Sequence, residues 1–432
     1  MSTYKGSMKW LKDVTSKLVL LLLVSFQFSN AQDTNYVRAT IDTLCSETMF
    51  GRGYVNDGHN KAAKFIAEEM KKIGLKPLKK DYLLPFKMNV NVVSSHPEIS
   101  FDGKKLEAGV DFLVESYSGS VSGEFETVII DQKTLAKEKK VLKLIKKGLV
   151  NKVLILDARN ADKDVMNFAR SLQHTPVGSK MTILLTDQKL TWGMSQQAAK
   201  HGLATVKVGE DFVYPSKVKV DIKTQLKKQL LSHNIAGYIP GKEHPDSFIV
   251  FSAHYDHLGG MGDQVFFPGA NDNASGTSLV LDLARKYIKD EHLKYSIAFV
   301  LFGGEEVGLL GSKDFVAKEI IPLKSIKVVI NTDIMGTGDD GIKVVNATNN
   351  IWFYEKMVQI NEEKNLLKRV GKRGPAANSD HHPFHEKGVP AIFIYTMGGI
   401  QAYHDVYDIE ETLPLTKYSE VFELITAVVE GM

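Results

Sequence analysis

The sequence predicts an α/β fold: a mainly parallel, twisted sheet with helices on both faces, plus a smaller inserted α/β or β-rich domain. Three observations lead there. Beyond Ile235, short apolar runs alternate with helical patterns, as in parallel sheets covered on both faces. Between about 100 and 225 a second group of short β-like runs has helical stretches of its own. The composition is that of an ordinary folded chain, with 43% hydrophobic and 24% charged residues. Its 432 residues suit roughly two to three domains at about 150 residues each.

The elements follow in chain order. Lys5, Lys9, Lys12 and Lys17 precede the apolar run Leu18 to Phe28, and Ser29, Asn30 and Ala31 follow it. Basic, apolar and small residues in that order read as a signal peptide over 1–31, with export to a secreted or periplasmic location. The run is too short for a membrane span, and no later stretch is long and apolar enough for one. From Arg38 to Leu84 the pattern is helical, with Ala62, Ala63, Phe65, Ile66, Met70 and Ile73 at three-to-four spacing and Gly74 suited to a C-terminal cap. The β-like runs Thr127 to Ile130, Lys152 to Leu156, Met181 to Leu185 and Ala204 to Val208 mark the insert, placed at 101–225. Residues 32–100 and 226–432 lie on either side of it. Lys137 to Lys147 is lysine-rich, but interleaved Val141, Leu142, Leu144 and Ile145 make it an amphipathic surface helix. Later strands are expected at Ser247 to Ser252, Ser296 to Phe302, Lys327 to Thr332 and Ala391 to Tyr395. Helices are expected at Ser275 to Ile288, Asn350 to Asn365 and Thr416 to Val429.

Charge and cysteine content exclude several classes. Lys plus Arg total 54 against 51 for Asp plus Glu, a net of +3. Nucleic acid is not an expected partner, because phosphate binding needs a clustered basic excess. A single cysteine, Cys45, leaves no intramolecular disulfide and no cysteine-based zinc knot.

Ligands in such sheets collect beyond the carboxyl ends of strands, and the candidate residues fall there. His254, Asp256 and His257 follow the first of these later strands, and Asp272 precedes the helix after it. Glu305 and Glu306 follow the second strand, Asp333 ends the third, and His404 comes after the fourth. Taken singly, each has a bland reading. An H-x-D after a strand is more often a satisfied His–Asp pair, and N-D-N-A-S-G serves as a turn and helix cap. Acidic pairs usually sit in solvated turns. Their joint occurrence in this order changes the balance. Mixed imidazole and carboxylate ligands suit zinc, manganese or cobalt. Two ions about 3.5–4 Å apart can share one carboxylate, lower the pKa of a water and stabilise an oxyanion. Of two adjacent glutamates, one can ligate while its neighbour serves as general base. Asp256 could indirectly hold the second ring nitrogen of His254.

The strings A-H-Y-D-H-L-G (Ala253 to Gly259), P-G-A-N-D-N-A-S-G (Pro268 to Gly276), G-G-E-E-V-G-L-L-G-S (Gly303 to Ser312), N-T-D-I-M-G (Asn331 to Gly336) and Y-H-D-V-Y-D (Tyr403 to Asp408) resemble the M28 family of zinc peptidases. That group includes bacterial aminopeptidases and glutamate carboxypeptidases. Gly51 to Gly53 and the helix at Lys61 to Ile73 look like its lead-in segment. The insert resembles a protease-associated domain by strand pattern and by Tyr117 to Glu124. The resemblance implies a zinc-exopeptidase fold and two zinc ions per chain. It implies that Asp272 bridges the ions, that His254 and Asp333 complete one, and that Glu306 and His404 complete the other. Glu305 is then the base, Asp256 sits behind His254, and Tyr403 matches a position that helps hold the oxyanion in some members. Asp405 and Val406 depart from the commoner T-P after the final histidine. His381, His382 and His385 are expected to line the pocket or lie at the surface and not to ligate. Arg369, Lys372 and Arg373 are read as a solvated loop. The expected activity is hydrolysis of terminal bonds in peptide substrates, most simply as an aminopeptidase. A carboxypeptidase, a single-zinc glutaminyl cyclase and a non-catalytic binding protein are the alternatives. Oligomeric state is not legible.

Overall fold

The computed structural model describes residues 34–146 and 148–432, of which Val37–Met432 form one unit. The signal-peptide reading of 1–31 lies outside the described residues. Among the described residues no helix is long and apolar enough to cross a membrane.

The main sheet has nine strands and a parallel centre. His244–His254 pairs in parallel with Tyr295–Phe302 on one side and with Ile326–Thr332 on the other, and Ala391–Met397 continues in parallel. These strands are apolar over most of their length because both faces are covered, and Phe251, Phe299 and Ile330 are fully buried. Antiparallel strands flank that centre. Thr224–Ile239 joins Tyr295–Phe302 on one side, and Gly341–Val345 joins Ala391–Met397 on the other. The helices Gly58–Ile73, Gly276–Tyr287 and Tyr418–Glu430 pack on one face, and Leu310–Ala317 and His381–Glu386 on the other.

The N-terminal segment differs from its expectation. It is not helical from Arg38 to Leu84. Helix Thr34–Cys45 ends before a short 3₁₀ segment, Glu47–Arg52, and the next helix stops at Ile73. Gly74 ends it in the left-handed region, φ 94°, with its amide bonded to the carbonyls of Lys71 and Met70. The chain then enters the strand Leu83–Val93, which pairs with Thr224–Ile239 along a two-stranded ribbon from Leu83↔Ile235 to Val93↔Thr224.

That ribbon leads into a second sheet of eight strands, whose members run from Glu98–Phe101 to Lys217–Ile222. Val121–Ile130, Lys152–Asp157, Met181–Thr186 and Gly202–Lys207 form its parallel centre. Val153, Ile155, Ile183 and Ala204 make its core together with Trp192, and this core runs on into Leu258 and Phe267 of the main lobe. The two lobes therefore share packed apolar side chains at the edge where the candidate residues lie.

Candidate metal centre and active site

The carboxyl ends of the parallel strands carry the site. His254 is the last residue of its strand and is buried. Its Nδ1 donates to the Asp256 carbonyl oxygen at 3.0 Å, which fixes the ring and turns Nε2 the other way. That Nε2 faces Asp272 Oδ1 at 3.3 Å and Asp333 Oδ1 at 3.4 Å. On the other side of Asp272, His404 Nε2 lies 3.1 Å from Oδ2 and 3.4 Å from Glu306 Oε2. The two oxygens of one buried aspartate thus face two histidines from different directions. Glu305 lies beside them at the wall of a cavity of about 430 Å³, lined also by Leu309, Ile334, Arg373, Tyr395 and Tyr403.

Each ligand candidate is held from behind. The Asp272 loop is fixed by Asp408, whose carboxylate accepts the amides of Asn271 at 2.8 Å and Asp272 at 3.0 Å. The Asp272–Asn273 peptide is cis. Asp333 Oδ2 accepts the Ser379 hydroxyl at 3.0 Å, while its Oδ1 is buried without a hydrogen-bond donor. Glu306 Oε1 receives His257 Nδ1 at 2.7 Å. Tyr403 is 45% exposed and stacks on the His404 ring at 4.0 Å.

Arg52 ties the surrounding loops together. It is fully buried and donates to the carbonyls of Tyr255, Leu44, Pro268 and Gly269. Those four acceptors satisfy a guanidinium that would otherwise be costly to bury. Its glycine neighbours permit the approach. A Cβ on Gly53 would lie 2.3 Å from Gly259 Cα, and Gly51 has φ 55°. The G-R-G string therefore serves as a brace under the Tyr255 and Asp272 loops.

The electrostatics follow from burying several carboxylates together. Burial pushes the Glu305 carboxyl well above the usual carboxylate range; nearby His254 opposes this, and Glu306, Asp380 and Asp333 reinforce it. Burial also raises Asp333 and Asp256. Asp272 goes the other way: its burial is outweighed by hydrogen bonds from His254 and His404, which hold it well below the ordinary range.

The structure brings His254, Asp272, Glu305, Glu306, Asp333 and His404 together. Asp256 adjoins them differently from expectation. Its backbone carbonyl holds His254, whereas its carboxylate accepts the Tyr54 hydroxyl at 2.7 Å and the Glu305 amide at 3.1 Å. His381 is buried against Phe393, and none of His381, His382 and His385 lines the cavity. Arg373 is exposed, as a solvated loop requires, and also borders the cavity. The sequence reading assigned no role to His257, Tyr54, Asp408 or Trp192. The first three lie in or beside strings already singled out; Trp192 has no such signal.

Residues 234–429 match the model of peptidase family M28. That segment is a peptidase family M28 domain. Among curated relatives, the chain is 27% identical to aminopeptidase YwaD of Bacillus subtilis, covering 93% of the chain and 87% of that protein. A probable leucine aminopeptidase of Trichophyton verrucosum is 28% identical over 46% of the chain and 57% of the relative. The chain also shares its fold with solved structures. BSAP, a zinc aminopeptidase from Bacillus subtilis, superposes with a TM-score of 0.69 at 22% identity, over 93% of this chain and 95% of that one. A peptidase M28 precursor from Shewanella amazonensis superposes at 0.64 and 14% identity, over 96% of both chains.

Proposed function

We propose that this M28 peptidase is an exported, dinuclear zinc aminopeptidase that removes N-terminal residues from peptides. The observation that carries the reading is the spacing of donors around Asp272. Two ligands each 2.0–2.1 Å from one tetrahedral ion are about 3.3 Å apart. The four Nε2-to-carboxylate separations are 3.3, 3.4, 3.1 and 3.4 Å. Each pairs an imidazole nitrogen with a carboxylate oxygen, the mixed donor set that suits zinc. The orphaned Asp333 Oδ1 and the buried carboxylates around it fit the same requirement.

On this reading His254 and Asp333 hold one zinc, Glu306 and His404 the other, and Asp272 both. Bound there, the ions supply Lewis acidity toward water and the scissile carbonyl. Glu305 takes the proton of the attacking water and delivers it to the leaving amine, a role its raised proton affinity suits. Asp256 fixes the Glu305 backbone through its amide. Tyr403 stands at the cavity mouth, where its hydroxyl can donate to the oxygen that gains charge. Direction of attack rests on the relatives named aminopeptidases. Arg373 favours a second reading, because a cation on the cavity wall suits a free carboxylate and so a carboxypeptidase. The test is a panel of amino-acid p-nitroanilides and N-blocked dipeptides on protein of measured metal content. An aminopeptidase cleaves the unblocked substrates only and carries two ions per chain. Turnover confined to blocked dipeptides would move the assignment to the second reading, and one ion per chain would refute the dinuclear site.

A further inference from the structure

We infer that the segment Lys189–Trp192 of the second lobe is a positioning strap for His404, so that the ion this histidine holds depends on a lobe that supplies no ligand. The inference rests on the reading of His404 as a metal-holding residue. His404 has φ 54°, in the left-handed region that a residue with a side chain seldom adopts. Such a conformation persists where the surroundings enforce it. The enforcing contacts come from the second lobe. The Trp192 amide donates to the His404 carbonyl at 2.8 Å, and His404 Nδ1 donates to the Trp192 carbonyl at 2.8 Å. The second bond also sets the ring so that Nε2 points toward Asp272 and Glu306.

The strap is itself anchored at both ends. Trp192 is nearly buried, its indole NH donates to the Val114 carbonyl at 2.7 Å, and its ring stacks on Phe267 at 4.7 Å. Lys189 Nζ meets Asp405 Oδ2 at 2.6 Å and also donates to the backbone carbonyls of Gln401 and Tyr403. Asp405 in turn accepts the Tyr407 amide at 2.9 Å. Asp405 is one of the two residues, with Val406, by which the chain departs from the commoner T-P after the final histidine. Its partner is a lysine more than 200 positions away, on the other lobe. One cation therefore gathers three acceptors on either side of His404.

The test measures zinc affinity of the full chain by equilibrium titration against a chromophoric chelator, beside melting temperature, kcat and KM. Lys189→Met keeps the aliphatic stem and removes the charge. It is expected to weaken one of the two ions about tenfold, the lower end for partners that orient a metal ligand, with the other ion unchanged. Excess zinc should restore kcat. Lys189→Arg should restore most of the affinity, and Asp405→Asn should lower it without adding to Lys189→Met, because both cut one contact. Lys189→Met with both affinities at the wild-type value would overturn the inference. So would equal weakening of both ions with a lowered melting temperature, which marks general damage. A wild-type chain that binds no zinc would instead refute the metal reading beneath it.

Discussion

Glu305 and Glu306 are adjacent in sequence and divided in surroundings. Glu306 is bonded by His257 and faces His404, whereas Glu305 borders the cavity with its carboxyl made easier to protonate by burial and by the charges beside it. Glu305→Gln preserves volume and leaves all five ligand candidates in place. It is expected to lower kcat by about 10²- to 10⁴-fold, the usual contribution of a positioned general base, with zinc content and KM nearly unchanged. Steady-state kinetics on metal-analysed protein reads this directly, and a variant with wild-type turnover would remove Glu305 from the chemistry. The six residues of the site were legible because imidazoles and carboxylates recurred at successive strand ends. Their supports were less so. Tyr54 reaches Asp256 across 202 positions, and Trp192 acts on His404 through a backbone carbonyl, which leaves no mark in a sequence.

Among the elements, the buried strands were legible and the amphipathic ribbon was not. Tyr295–Phe302 and Ile326–Thr332 are built around the apolar runs Ile297 to Phe302 and Val328 to Ile330, and their bounds came within a residue of expectation. Leu83–Val93 does alternate, with Leu84, Phe86, Met88 and Val90 inward, but Pro85 interrupts the run and weakens its strand signal. Thr224–Ile239 carries Lys227, Lys228 and Gln229 where the ribbon faces solvent. The second lobe also holds a buried ion pair at a strand end. Asp157 takes Arg159 Nη2 at 2.6 Å and the Tyr214 hydroxyl at 2.6 Å. Burial alone would raise this carboxyl, but the bonds from Arg159 and Tyr214 prevail and hold it below its ordinary value. A depressed carboxyl stabilises above its unfolded pKa, and that contribution fades as pH falls through the folded value. Asp157→Asn leaves Arg159 without its counter-charge and is expected to cost about 3 kcal/mol at neutral pH. The gap to wild type should close below about pH 4. Urea unfolding at neutral and acid pH measures both, and a gap independent of pH would mean that the pair contributes no charge-linked stability.

At the scale of the whole molecule, the site lies where the two lobes of one unit meet. The ligand candidates arrive from the ends of parallel strands in the main lobe, Arg52 braces two of their loops, and Trp192 holds a third from the second lobe. The carboxylates gathered there repel one another when no cation lies between them. Metal and folding must therefore be linked, because ions that bind only the native arrangement stabilise it by RT ln(1 + [L]/Kd), about 2.7 kcal/mol per ion at a hundredfold excess over Kd. Removing the ions with a strong chelator should lower the melting temperature and abolish turnover, and zinc or cobalt should restore both. Stability plotted against the logarithm of free zinc should rise with the slope of two ions and fall to that of one when His404 is replaced by Ala. A melting temperature indifferent to chelation would mean that the convergence of these groups is held by protein contacts alone.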